Sequence, residues 1–249
     1  MRMPHLIVLP AVLMICLTAV ATAAAVDGPI VLNTSYSPPY STPAEDGILD
    51  RVLKEAFARL GRKVTLQMLP AERCLIDSNA GVSDGEVGRV IGMERLYPNL
   101  VMVDEPIIES RAFVAFTTGA RFETQDWDSL APYHVGMVKG WKIFENNVDQ
   151  ARSIIKVDST RALFRLLKND RVDVALNARL DGLYTAKQVG ISKVQVMEPP
   201  FATLKLYLYL HKQHIDLIPR VETALADMKT DGAFYRIYAA AADELLTEE

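Results

Sequence analysis

The chain has 249 residues, 50% of them hydrophobic, 23% charged and 8% aromatic, which excludes a disordered polar tail, a collagen-like repeat and a disulfide-dense miniature protein. A chain of this length can bury about 70 to 75% of the surface it exposes when unfolded, enough for one large domain or two modest lobes. The formal charge of -4 and a pI near 5.7 argue against nucleic acid as a partner, because neutralising phosphates takes a basic surface.

The first residues carry Arg2 and His5 and turn apolar at once, from Leu6 to Val20; the small residues Ala21 to Ala25 follow and offer A-x-A sites ending at Ala23 or Ala25. A short basic start, an apolar middle and a small-residue cleavage site are the order of a secretory signal peptide, expected over 1–25. The rival reading is an uncleaved membrane anchor, but the A-x-A run stands where a peptidase needs it. Cys16 lacks the small residues expected before a lipidated cysteine and leaves with the leader. Cys74 then stands alone, so the exported protein is held by its core and not by a disulfide. Loss of Arg2 leaves 26 basic against 31 acidic side chains, about -5 in charge.

Beyond the leader, a β-branched run at 30–33 ends in the turn-rich segment 34–43. Leu49, Val52, Leu53, Ala56, Phe57 and Leu60 then recur at helical spacing, and Gly61 stops that helix. Val64, Leu66 and Met68 alternate as a strand. Pro70 opens a second helix over 71–79, and strands follow at 85–91, 100–103 and 112–117. This β-α-β-α-β order predicts a parallel or mixed sheet covered by helices. A second α/β run begins after Pro132: strand 134–138, helix 141–148, strand 153–157, helix 160–169 capped by Asp158 or Ser159, strand 172–176 and helix 181–189. Val194 and Val196 make a short strand, and 201–211 is a long extended segment with leucines on one face and Lys205, Tyr207 and Tyr209 on the other. Helices at 216–230 and 233–246, divided by Asp231-Gly232, close the chain.

Several strings in this layout resemble the periplasmic solute-binding proteins of the amino-acid type, bacterial extracellular solute-binding protein family 3, in a divergent branch. They are the leader, Tyr36-Ser-Pro-Pro-Tyr40, the helix ending Leu60-Gly61, Gly81-x-x-Asp84 before a strand, Glu105-Pro106, and Leu166-Leu-Lys-Asn-Asp-Arg-Val-Asp-Val-Ala175. The resemblance implies an α/β, two-lobed periplasmic-binding-protein-like fold of type II, each lobe a mixed sheet flanked by helices, with two hinge crossings. Lobe 1 would comprise 27–115 plus 206–249, and lobe 2 would comprise 116–205. Hinge closure would clasp a solute between them.

Arg89 is the first candidate for gripping an anion, because a guanidinium matches a carboxylate bidentately; the alternative is an arginine paired with Glu86. The usual Thr-x-x-Arg of the family is missing here, and the chain instead has Pro-Ala-Glu72-Arg73 and Asp84-Gly-Glu86-Val-Gly-Arg89. Glu72 can serve the helix N-terminus, while Arg73 gains little there and can point at a ligand or at Glu86. Tyr36 and Tyr40 can cover an aliphatic or cationic ligand or simply pack their loop. Trp141 can stack on the solute or staple its helix to the sheet. Where the family commonly has an Asp for a ligand ammonium, this chain has Asn177, with Arg179 beyond; a neutral amide does not replace a carboxylate there. His211-x-x-His214 lacks a third ligand, so no metal is expected, and no cofactor signature occurs.

These features predict a periplasmic, monomeric receptor for a small polar solute, an amino acid or related carboxylate, serving an ABC permease or a membrane sensor. The alternative is a small-molecule enzyme on the same fold, resembling cyclohexadienyl dehydratase, with Glu72 or Glu86 as general acid or base.

Overall fold

The computed structural model describes residues 28–119 and 121–247; the predicted leader, with Cys16, lies outside them. In chain order the elements are β1 Ile30–Thr34, α1 Ile48–Arg59, β2 Val64–Met68, α2 Ala71–Asn79, β3 Gly85–Arg89, β4 Leu100–Met102 and β5 Ile108–Thr117. They continue with β6 His134–Val138, α3 Lys142–Glu145, β7 Ser153–Val157, α4 Thr160–Lys168, β8 Val174–Ala178, α5 Arg179–Gln188, β9 Gln195–Val196, β10 Ala202–His211, α6 Ile218–Thr230 and α7 Ala233–Thr247.

The strands run in the order β2-β1-β3-β10-β5-β8-β6-β7, with β4 on β10 and β9 on β5. Each strand preceding a crossover helix pairs parallel with its neighbours, β1 with β2 and β3, and β6 with β7 and β8. That is the expected product of β-α-β order. The long strands β5 and β10 are antiparallel to everything they touch and join the two halves. β10 pairs β3 and β4 through Tyr207–His211 and pairs β5 through Ala202–Leu206, with a register shift between Leu204 and Leu206.

Two cores lie on either side of this junction. Ile108, Leu206, Leu208 and Leu210 pack with α1, α6 and α7, whereas Phe113, Ala115, Ala202 and Leu204 pack with Val135, Met137, Phe144 and Leu176. The stretches Glu109–Ala112 and Thr203–Lys205 between these cores are half-buried or exposed, while Phe113–Thr117 and Leu206–His211 are buried. Tyr207 and Tyr209 are buried as well, against Leu75 and Leu100. The face predicted to carry Lys205, Tyr207 and Tyr209 is therefore covered at the two tyrosines, where β10 is central in its sheet and has packing on both faces, and open at Lys205.

Local chemistry sets the ends of the elements. Gly61 has φ +71°, its N–H donates to Ala58 O, and the Arg62 N–H donates to Phe57 O. This pair of bonds closes α1 as the sequence predicts. Ser159 caps α4 through its side chain, which accepts from the Ala162 N–H; Asp158 does not. The helix predicted over 141–148 shrinks to Lys142–Glu145, since Asn146 and Asn147 favour turns over helix. The strand predicted at 172–176 lies two residues later. The Asp173 N–H donates to His134 O and its carboxylate accepts from the His134 N–H. α5 follows directly, starting at Arg179 and not at the predicted 181, and Asp181 falls in its first turn.

Candidate functional site

A cleft of about 690 Å³ opens between the two halves. One wall is built from Ser35–Pro38 after β1, Leu69–Ala71 after β2, and Arg89 at the end of β3. The other has Val138 at the end of β6 and Trp141 after it, Asp158 and Ser159 before α4, Thr160 and Arg161 in its first turn, and Asp181, Tyr184, Thr185 and Gln188 on α5. The cleft therefore gathers the carboxyl ends of all six parallel strands, where open α/β sheets expose helix starts and loops to ligands.

At its floor lies Arg111, on the half-buried stretch of β5. Its Nη2 donates to both oxygens of Asp181, at 3.1 and 3.2 Å, and its Nη1 donates to the Tyr36 hydroxyl at 2.8 Å. That hydroxyl in turn donates to Gly88 O at 3.0 Å. Four rings surround the guanidinium carbon: Tyr36 at 4.9 Å, Tyr40 and Trp141 at 5.4 Å and Phe113 at 5.8 Å. The two side chains are only 12% and 13% exposed. Burial opposes the charge on Arg111, but Asp181 and the two tyrosines outweigh it and hold its pKa above the ordinary value. Burial likewise lifts the Asp181 carboxyl, with Arg111 pulling against it.

Arg89 realises both of its sequence readings. It lines the cleft and it is ion-paired: Nε and Nη2 lie 2.7 and 2.6 Å from Glu86 Oε1, and Nη2 also donates to Ala71 O at 2.9 Å and to Ser35 Oγ at 3.4 Å. Its Nη1 makes no hydrogen bond among the described residues, so one edge of the fork is open. Glu86 is fully buried and its Oε2 has no partner. Burial raises its pKa to about 7 in spite of Arg89.

Of the remaining sequence candidates, Tyr36 and Trp141 line the cleft. Trp141 also stacks on Phe144 with 5.7 Å between centroids and 4° between planes, so it staples its loop as well. Tyr40 does not reach the cleft: it is 2% exposed and stands edge-on behind Tyr36 at 5.5 Å. Asn177 is not after its strand but inside it and fully buried; its amide donates to Thr160 Oγ1 and its Oδ1 accepts from the Ala178 N–H. Glu72 and Arg73 do not line the cleft either. Successive helical residues turn by about 100°, so only Ala71 of α2 reaches the cleft; Glu72 accepts from the Tyr97 hydroxyl at 3.1 Å, and Arg73 pairs with Asp77 and is 65% exposed. Arg179 pairs with Glu198 on the far side of the crossing strands, beside a smaller pocket with Ser110 and Thr203. The carboxylates that a dehydratase reading requires, Glu72 and Glu86, are thus both outside the cleft.

The residues missed in the sequence are Arg111, Asp181 and Arg161. A lone arginine within the extended run 107–117, on a strand joining two lobes, was the available signal for the first. No group of His, Cys, Asp and Glu able to hold a metal occurs among the described residues, Cys74 is buried and free, and no described helix is long and apolar enough to cross a membrane.

No family model matches the sequence. An uncharacterized protein of Shewanella oneidensis is 27% identical over 196 residues, which cover 74% of this chain and 72% of that one. An amino acid ABC transporter substrate-binding protein, AbpA of Streptococcus pneumoniae bound to L-arginine, matches with a TM-score of 0.69 at 15% identity, covering 89% of this chain and 97% of that chain. A histidine kinase sensor domain with similarity to periplasmic binding proteins matches with a TM-score of 0.65 at 15% identity, covering 85% and 95%. The chain superposes on nearly the full length of those proteins, and its two α/β halves joined by two long strands have the two-lobed fold of the periplasmic binding proteins.

Proposed function

We propose that this chain binds a small carboxylate-bearing solute, an amino acid or a related acid, in the interlobe cleft, and presents it to an ABC permease or a membrane sensor. Export through the leader at 1–25, a periplasmic location and a monomeric state belong to the same reading. So does a lobe of 27–115 with 206–249 set against one of 116–205. The thin cover over Glu109–Ala112 and Thr203–Lys205 supports hinge crossings near those limits.

The observation that carries the reading is Arg89. Glu86, Ser35 and Ala71 hold the guanidinium still at the end of β3, and an open Nη1 in a cleft is a preorganised donor for a carboxylate. A protein of this fold that binds an amino acid supports the chemical class. Calorimetry of the purified protein against amino acids, dicarboxylic acids and small peptides tests it. One-site binding is expected for at least one of these, weakened about tenfold or more by Arg89→Ala, since a hydrogen bond to a charged group contributes about 1.5 to 3 kcal/mol. No binding across the panel, or unchanged affinity in the variant, would overturn the reading.

A further inference from the structure

We infer that the solute is an organic acid without an ammonium group, a plain, hydroxy or oxo acid, and not an α-amino acid. The inference rests on the binding reading above and narrows it.

An α-amino acid brings two charges into the cleft, and its ammonium must exchange water for a carboxylate or for several acceptors. Only two carboxylates line the cleft, Asp158 and Asp181. Both oxygens of Asp181 are engaged by Arg111. Releasing them for a ligand would leave a guanidinium that is 12% exposed, beneath four rings, without its counter-charge. Asp158 stands at the rim, 85% exposed, and already pairs with Lys139 at 2.7 Å; an ion pair so placed contributes little. The amide of Asn177 offers no substitute, because its Oδ1 is turned onto the Ala178 N–H and its Nδ2 onto Thr160.

The donors show the opposite pattern. Arg89 keeps Nη1 open, and Arg161, exposed on the cleft wall, has no ion-pair partner among the described residues. Ser159 Oγ satisfies only the Ala162 N–H of the first turn of α4, leaving the Thr160 and Arg161 N–H groups without an acceptor among the described residues. Three arginines and two aspartates line the cleft, with Glu86 behind Arg89 balancing that arginine when it is ionised. The cleft thus holds surplus donors for a carboxylate, while each of its two carboxylates is already paired with a cation and neither is free for an ammonium.

Calorimetry on the wild-type protein at pH 7.5 with matched acids reads this directly: L-glutamate against glutarate, L-aspartate against succinate, L-alanine against L-lactate, and L-phenylalanine against 3-phenylpropionate. In every pair that binds, the acid lacking the amino group is expected to bind at least tenfold more tightly. Equal or tighter binding of the amino acid would overturn the inference and would mean that Asp181 exchanges Arg111 for the ligand, while leaving the binding reading intact. Binding by neither member of any pair would instead count against the binding reading, and this inference would fall with it.

Discussion

Removal of the Asp181 carboxylate tests how the floor of the cleft is held. In Asp181→Ala the Arg111 guanidinium keeps its four rings and the Tyr36 hydroxyl but loses both oxygens that balance its charge. With the pair only 12% and 13% exposed, solvent cannot replace the lost partner, and breaking such a pair from one side costs about 3 to 5 kcal/mol. For a protein of this size each kcal/mol lowers Tm by about 2 to 4 °C, so a fall of roughly 6 to 12 °C is expected at the lower end of that cost. The double variant Arg111→Met, Asp181→Leu removes the stranded charge together with its partner, so it should be less damaged than the sum of its single variants by about 2 kcal/mol. Urea unfolding followed by tryptophan fluorescence on the wild type, both single variants and the double variant completes the cycle. A loss below about 1 kcal/mol in Asp181→Ala, or strict additivity in the double variant, would refute the claim that the pair acts as one buried unit.

Glu86 predicts a pH dependence. Its folded pKa of about 7 lies above the ordinary 4.5, so the folded chain holds the proton more tightly than the unfolded one. The associated stability is full below about pH 4.5 and is lost as the pH rises through 7, by about 3 kcal/mol in total. Thermal melts of Glu86→Gln should be flatter between pH 5 and 8 and at least as stable as wild type at pH 8; a parallel pH response in the variant would contradict this. Protonation of Glu86 also leaves the Arg89 charge uncompensated, so any acid found to bind should bind more tightly at pH 6 than at pH 8 in calorimetry. Gly88→Ala perturbs the same corner: φ is +79° there, and a Cβ would meet the Tyr36 ring at 2.4 Å. Left-handed strain and overpacking together should cost about 2 to 4 kcal/mol, and an unchanged melting temperature would show that Tyr36 is not held as described.

The elements with strong periodicity were legible in the sequence. The α1 stripe ending at Gly61, the β-α-β order, the long strand at 202–211 and the closing helix pair all follow from local patterning, which is dictated by 3.6- and 2-residue repeats. Failures came where a boundary depended on tertiary bonds. The exchange between Asp173 and His134 holds residue 173 outside β8, while α5 begins directly after that strand at Arg179, ahead of the predicted 181, with Asp181 in its first turn. Arg111 and Asp181 are 70 residues apart, and only the crossing of β5 past α5 brings them together, so neither residue announces its partner. Glu72 and Arg73 were drawn toward the cleft by their chemistry and turned away from it by helix geometry. Arg89 was legible because its place at a strand end and its partner Glu86, three residues back, are both local features.

The most direct test of the central claim places the reporter in the cleft. The chain has two tryptophans, and Trp141 lines the cleft while Trp127 stacks on Phe201 in the second core. In a Trp127→Phe variant the emission comes from Trp141 alone, and it can be titrated with the tightest-binding acid found by calorimetry. The account predicts a saturable change at Trp141 with the calorimetric affinity, shifted about tenfold or more to weaker binding when Arg89→Ala is added. Calorimetric binding with no response at Trp141, or a titration that Arg89→Ala leaves in place, would contradict it.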